Sequence, residues 1–131
     1  MKIYRGDADS NFQPQKHINS RYGIIALFFT TDIKVAKLYA KQRSDQERIY
    51  NDGAIYTTDL PNQVYSVDFN GEVSHSSKFR NLIYKLHQEN HKVVCIKNVY
   101  DYPSKDYFEL IKSDIIVYFN INNLNVDLKN I

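Results

Sequence analysis

A chain of 131 residues is long enough for one hydrophobic core and too short for two ordinary domains, so a single domain over 1–131 is expected. With 43% apolar and 24% charged residues it is not a disordered polyelectrolyte, and a formal charge of +2 with bases scattered among acids announces neither a nucleic-acid nor a membrane surface. Met1–Asp7 lacks the apolar stretch of a signal peptide and no run approaches the roughly 18 apolar residues of a membrane span, so a cytoplasmic setting with no membrane partner is expected.

Lys2–Gly6 reads as a short strand ending at a glycine, followed by a polar loop through residue 22. Gly23–Thr31, rich in β-formers and aromatics, predicts a second strand. Asp32 fits a helix N-cap whose carboxylate accepts from the amides of Lys34 or Val35, and apolar residues at 35, 36, 38, 39 and 40 opposite Lys34, Lys37 and Lys41 make the helix amphipathic. The helix is expected to end within Arg43–Asn51, before the Asn51-Asp52-Gly53 turn that precedes Ala54–Thr58. Tyr65, Val67 and Phe69 form the buried face of a strand closed by Gly71-Glu72. Phe79, Leu82, Ile83 and Leu86 recur at helical spacing across Ser77–Glu89. A strand over Lys92–Asn98 holds the lone Cys95, for which burial is the ordinary expectation and an intramolecular disulfide is impossible. Asp101, Pro103 and Asp106 predict an excursion over Tyr100–Lys112. Ile115–Phe119 is a strongly apolar strand, and Val126 and Leu128 suggest an edge piece.

Three separated segments carry the candidate chemistry: Tyr4-Arg5-Gly6 at the end of the first strand, Phe28-Phe29-Thr30-Thr31-Asp32 running into a helix with Val35-Ala36 and Tyr39-Ala40, and Ser113-Asp114-Ile115-Ile116-Val117-Tyr118-Phe119 followed by Asn122-Asn123-Leu124. In this order they resemble the ADP-ribosyltransferase superfamily, most closely its small phage and polyvalent-protein members. Those members run Tyr-Arg-Gly, then Phe-Thr-x-Asp with Ala and Tyr-Ala downstream, and an Ile-Lys-Asn strand matched here by Ile96-Lys97-Asn98. The last strand is similar to its counterpart in poly(ADP-ribose) polymerases, an acid followed by Ile-Val-Tyr. The matches span nearly the whole chain, and no single motif exceeds five or six residues.

The resemblance implies an α+β fold, a split β-sandwich of two small, mostly antiparallel sheets with flanking helices and an NAD⁺ cleft between them. It implies a mono-ADP-ribosyltransferase acting on a partner or host macromolecule, with small stand-alone members resembling phage effectors against bacterial defence, CRISPR surveillance complexes among them. A protein acceptor is expected and a nucleic-acid acceptor stays open. Breaking a pyridinium N-glycoside passes through an oxocarbenium-like transition state, so a site must hold nicotinamide, neutralise diphosphate and place a carboxylate near the ribose. Gly6 would offer its backbone to the nicotinamide amide, and Arg5 would fork onto diphosphate or ribose oxygens. Thr30 or Thr31 would bond the amide or brace the acid; Phe28, Phe29 and Tyr39 would wall the ring, and Tyr4 would be a further NAD⁺-binding residue. Asp114 would contact the ribose 2′-hydroxyl, with Glu109 the second candidate acid. The family usually carries glutamate at the late position, and aspartate is one methylene shorter. A domain with neither acid in place would bind NAD⁺ without transferring it, and one with water as acceptor would be an NAD⁺ glycohydrolase.

Each position also has a plainer reading. Arg5 and Asp114 can be ordinary ion-pair or capping groups, Gly6 a turn glycine, Thr30 and Thr31 a helix entry, and the aromatics core residues. His87 and His91 share a helical spacing seen in metal sites, but Gln88 stands where a zincin has its glutamate, so a solvated helix end is expected. Ser74-His75-Ser76 lacks a glycine-framed nucleophile elbow and reads as a loop. The Lys34, Lys37, Lys41 stripe is a solvated face or a docking edge for an acidic partner.

Overall fold

The computed structural model describes residues 1–14, 19, 21–101, 110–122 and 124–129. Its strands are β1 (Lys2–Asp7), β2 (Leu27–Thr30), β3 (Ala54–Asp59), β4 (Tyr65–Asp68), β5 (Val93–Asp101), β6 (Ile111–Tyr118) and β7 (Asp127–Lys129), with helices α1 (Ile33–Gln46) and α2 (Ser77–Gln88). The fold is α+β. All seven strands join one sheet, in the order β4-β5-β6-β2-β1-β3-β7, where the sequence led to an expectation of two small sheets. Every pairing is antiparallel except β4 with β5, which α2 connects. The continuity of the sheet is thin at one place. β1 and β2 meet through the single register pair Tyr4–Thr30, whereas β1 and β3 pair along six positions.

Residues opposed in an antiparallel ladder share a face, so Tyr4, Thr30 and Ile115 point to one side of the sheet. Both helices pack on that side. α2 buries Phe79, Ile83 and Leu86 against Val94, Ile96, Val99, Ile115 and Val117. α1 lays Ala36 and Ala40 on Ile55, beside Tyr4. The other face is covered by irregular chain, with Ile121 and Leu124 over Ile3, Leu27, Phe29, Cys95, Ile116 and Tyr118. Cys95 is buried, as the apolar run around it implies.

The helix starts follow the sequence. Asp32 accepts from the Lys34 amide at 2.9 Å and Ser76 from the Phe79 amide at 3.1 Å, each satisfying a donor that the first turn leaves unpaired. Lys34, Lys37 and Lys41 are exposed. α1 ends at Gln46, within the expected stretch, and Ser44, wholly buried, holds Asn51 at 2.8 Å. Two features differ from expectation. β5 runs on to Asp101 and β6 begins at Ile111, so both ends of the expected excursion are ladder. Tyr65 is exposed and leaves Phe69, just past β4, as the buried aromatic of that segment. Among the described residues no helix is long and apolar enough to cross a membrane.

At Gly6 the backbone of α1 lies directly against β1. A methyl group there would lie 2.6 Å from the Ala40 nitrogen and nearer still to the Ala36 carbonyl, both α1 backbone atoms that cannot swing aside. Gly6→Ala should therefore cost about 3 kcal/mol, the upper end of the usual range for overpacked sites. Gly23→Ala, at φ +70 with open space around the added carbon, should cost about 1 kcal/mol from backbone strain alone. Urea denaturation of the two variants measures the difference; equal losses would mean that α1 is not held against β1 in this way.

Candidate functional site

Between α1, α2 and the β1–β2 joint lies a cavity of about 260 Å³. Seven residues singled out from the sequence line it: Tyr4, Arg5, Gly6, Phe28, Phe29, Thr30 and Tyr39. They come from three segments, and the joint brings them together because β1 and β2 touch at Tyr4 and Thr30 while α1 follows β2 directly. Some lining residues have other work as well. The Phe29 ring packs edge-on against Tyr118, 5.4 Å between centroids, in the core behind the sheet. Thr30 Oγ1 accepts from the Asp32 amide at 3.2 Å, bracing the entry to α1. Gly6 offers the cavity its backbone, and its carbonyl accepts from the Arg43 guanidinium.

Arg5 is a buried guanidinium, and the narrow β1–β2 contact explains how one can be. Its Nη1 donates to the Phe28 carbonyl at 3.2 Å, its Nε to Asp7 at 3.2 Å, and its Cζ lies 4.8 Å over the Phe12 ring. The side chain therefore replaces a ladder bond that β1 and β2 do not make. Burial, and next the charge of Arg43, draw its pKa from 12.5 down to about 10, with Asp7 working the other way. It stays charged at neutral pH.

Thr31 and Asp114 are not among the lining residues. The Asp114 carboxylate instead accepts from the Asn98 amide at 3.1 Å, while its backbone carbonyl takes the Thr31 amide at 3.3 Å. Asn98 sits at φ 62 in a bulge, where the β5–β6 register jumps from Ile96–Ile115 to Val99–Ser113. One extra residue in β5 inverts the inside-outside alternation beyond it. Val99 and Asp101 thus share the face of Ile115, and Asp101 enters the cavity. Glu109 lies outside the described residues.

Asp101 is the acid that sequence reasoning did not select. It is 3% exposed, and its Oδ1 accepts from both Tyr39 Oη and Ser74 Oγ at 2.7 Å. His75 Nδ1 stands 3.3 Å from the same Ser74 hydroxyl. Asp101 was legible only as a turn-prone residue, because the bulge that turns it inward has no pattern of its own. Arg21, Tyr22 and Arg43, to which the sequence assigns no role, also line the cavity, together with Phe79 of the α2 core stripe and Ser74 and His75, which read as loop. Arg21 and Tyr22 are presented by a turn in which Asn19 Oδ1 accepts from both their amides. Tyr22, Phe28 and Phe79 form an aromatic wall, with centroids 5.7 and 6.4 Å from the Phe28 ring. His87 packs on Phe119, and His91 stacks on Tyr65 at 4.2 Å.

Among the described residues Arg21, Arg43 and Asp101 line the cavity, as does Arg5, whose guanidinium lies over Phe12 on the opposite face of the sheet from Tyr4. Two arginines there suit an anionic group, the aromatic wall suits a flat ring, and the fixed carboxylate suits a group that becomes positive during reaction. No protein-family model, curated protein or solved structure matches the chain.

Burial, then the Asp101 charge, raises the pKa of the Tyr39 phenol far above its ordinary 10.0. Below pH 10 folded and unfolded phenols are both neutral and the hydrogen bond contributes in full. Above it the unfolded phenol ionises and the folded one does not, so stability falls as pH rises. The urea midpoint should fall more steeply above pH 10 in the wild type than in Tyr39→Phe; parallel profiles would mean that this phenol is not held neutral by the fold.

Proposed function

We propose that the cavity binds the nicotinamide end of NAD⁺ and that the chain is a mono-ADP-ribosyltransferase with Asp101, in place of Asp114, as its carboxylate. The observation that carries this reading is convergence. Tyr4-Arg5-Gly6, Phe28-Phe29-Thr30 and Tyr39, which carry the resemblance to one superfamily, line a single cavity that is also lined by the buried Asp101 and by Arg21 and Arg43. About 260 Å³ is just under the usual ~300–1,000 Å³ of small-molecule pockets, so the nicotinamide riboside would sit inside and the adenosine outside. The single-pair β1–β2 joint is where the two sheets of the resembled split sandwich would part.

In this account Tyr4, Phe28 and Tyr39 flank the nicotinamide, Gly6 offers it backbone polar groups, and Arg5 holds the joint rigid. As the N-glycosidic bond breaks, its electron pair leaves with neutral nicotinamide, and the Asp101 carboxylate stabilises the ribosyl cation. An acceptor nucleophile then bonds to the anomeric carbon and its proton passes to the carboxylate. The acceptor is a macromolecule, taken to be a cytoplasmic protein. Asp114 serves at one remove, through the Asn98 amide that fixes the bulge.

Labelled NAD⁺ incubated with the protein and a bacterial lysate should mark a discrete band. Asp101→Asn should lower labelling by about a hundredfold or more, the usual loss when a group stabilising the transition state is removed. Asp114→Asn keeps an oxygen for the Asn98 amide and should retain most of it. Loss in Asp114→Asn with retention in Asp101→Asn would overturn the assignment, and free ADP-ribose without a labelled band would make water the acceptor.

A further inference from the structure

Arg43 reaches from α1 into the cavity, its Cζ 5.4 Å over the Tyr39 ring, and its Nη1 donates to the Gly6 carbonyl. That carbonyl is the group the proposed reading gives to the nicotinamide amide. Arg5, already anchored on Asp7 and the Phe28 carbonyl, is close enough to Arg43 for their charges to oppose each other. Among the described residues no carboxylate lies within ion-pair distance of Arg43 or Arg21, although both line the cavity. A guanidinium bonded to a neutral carbonyl gains from exchanging it for an anion, since charge-assisted bonds to phosphate oxygens are roughly twice as strong.

We propose that Arg43 and Arg21 form the subsite for a diphosphate-bridged ligand, and that occupying it draws Arg43 off the Gly6 carbonyl and opens that carbonyl to the ligand's amide. This rests on the NAD⁺ reading and adds a coupling to it. The two ends of the ligand cooperate through one side chain, because the end carrying the anion removes the residue that blocks the end carrying the amide. Nicotinamide alone lacks the anion and must displace Arg43 unaided. Loss of the Arg43 charge therefore acts in opposite directions on the two halves of the ligand, which loss of general packing does not.

Calorimetric titration of ADP-ribose and of nicotinamide, each alone, into wild type, Arg43→Met and Arg21→Gln separates the possibilities. Arg43→Met keeps an apolar stem over Tyr39. It should weaken ADP-ribose about tenfold, as expected for one charge-assisted contact. It should tighten nicotinamide roughly threefold, because the carbonyl is then free of the guanidinium in every molecule. Arg21→Gln should weaken ADP-ribose and leave nicotinamide unchanged. If wild type binds both and Arg43→Met weakens or leaves unchanged its affinity for nicotinamide, the coupling is wrong and the NAD⁺ reading stands. If wild type binds neither, both fall. Should Arg43→Met melt below the assay temperature, Arg43→Gln carries the same two expectations.

Discussion

The β1–α1 contact at Gly6 sets the position of nearly everything else in the cavity. Because no side chain stands between them, the helix backbone lies directly on the strand, with Ala36 and Ala40 as the only spacers. That depth brings Tyr39 to Asp101 and Arg43 to the Gly6 carbonyl. A larger residue at position 6 would lift α1 and move both side chains together. Gly6 thus has a packing reason to be glycine that is independent of any ligand, and the proposed contact with nicotinamide is an additional use of the same opening.

The second constraint is the mismatch between neighbouring strands. β1 and β2 share one register pair, and the space that their ladder leaves is taken by the Arg5 guanidinium bonded to the Phe28 carbonyl. On the other side of the site, β5 carries one residue more than β6 between Ile96 and Val99. The two irregularities act in concert. One makes room between strands for polar groups, and the other turns a carboxylate into that room. Neither would be tolerated without a local partner for the displaced backbone, and Asp114 is that partner at the bulge.

Much of the fold was readable because it follows from period and capping. Asp32 opens α1 as its side-chain chemistry requires, the Phe79, Leu82, Ile83, Leu86 spacing marks α2, and the apolar runs at 92–98 and 115–119 mark the first part of β5 and the last part of β6. The site was readable in part. Tyr4–Gly6, Phe28–Thr30 and Tyr39 were picked out from short motifs, and they do share one cavity. What a linear pattern cannot convey is parity after a bulge, and that parity is what puts Asp101 among the lining residues and leaves Asp114 out of them. Arg43 looked like the polar tail of a helix because its partner, the Gly6 carbonyl, is 37 residues away. Arg21 and Tyr22 sit in a turn held by their own amides donating to the Asn19 side chain, which carries no hydrophobic period. A single sheet instead of two likewise depends on one backbone pairing that no composition encodes.

Under the proposed function NAD⁺ enters the cavity between the two helices. Titrating NAD⁺ into isotope-labelled protein and following every backbone amide by NMR tests it without relying on turnover. The account predicts saturable shifts concentrated at Tyr4–Gly6, Phe28–Thr30, Ser74–His75 and Asp101, with the exposed edges β4 and β7 unmoved. Saturable shifts centred on those edges, or no shifts at millimolar NAD⁺, would contradict it.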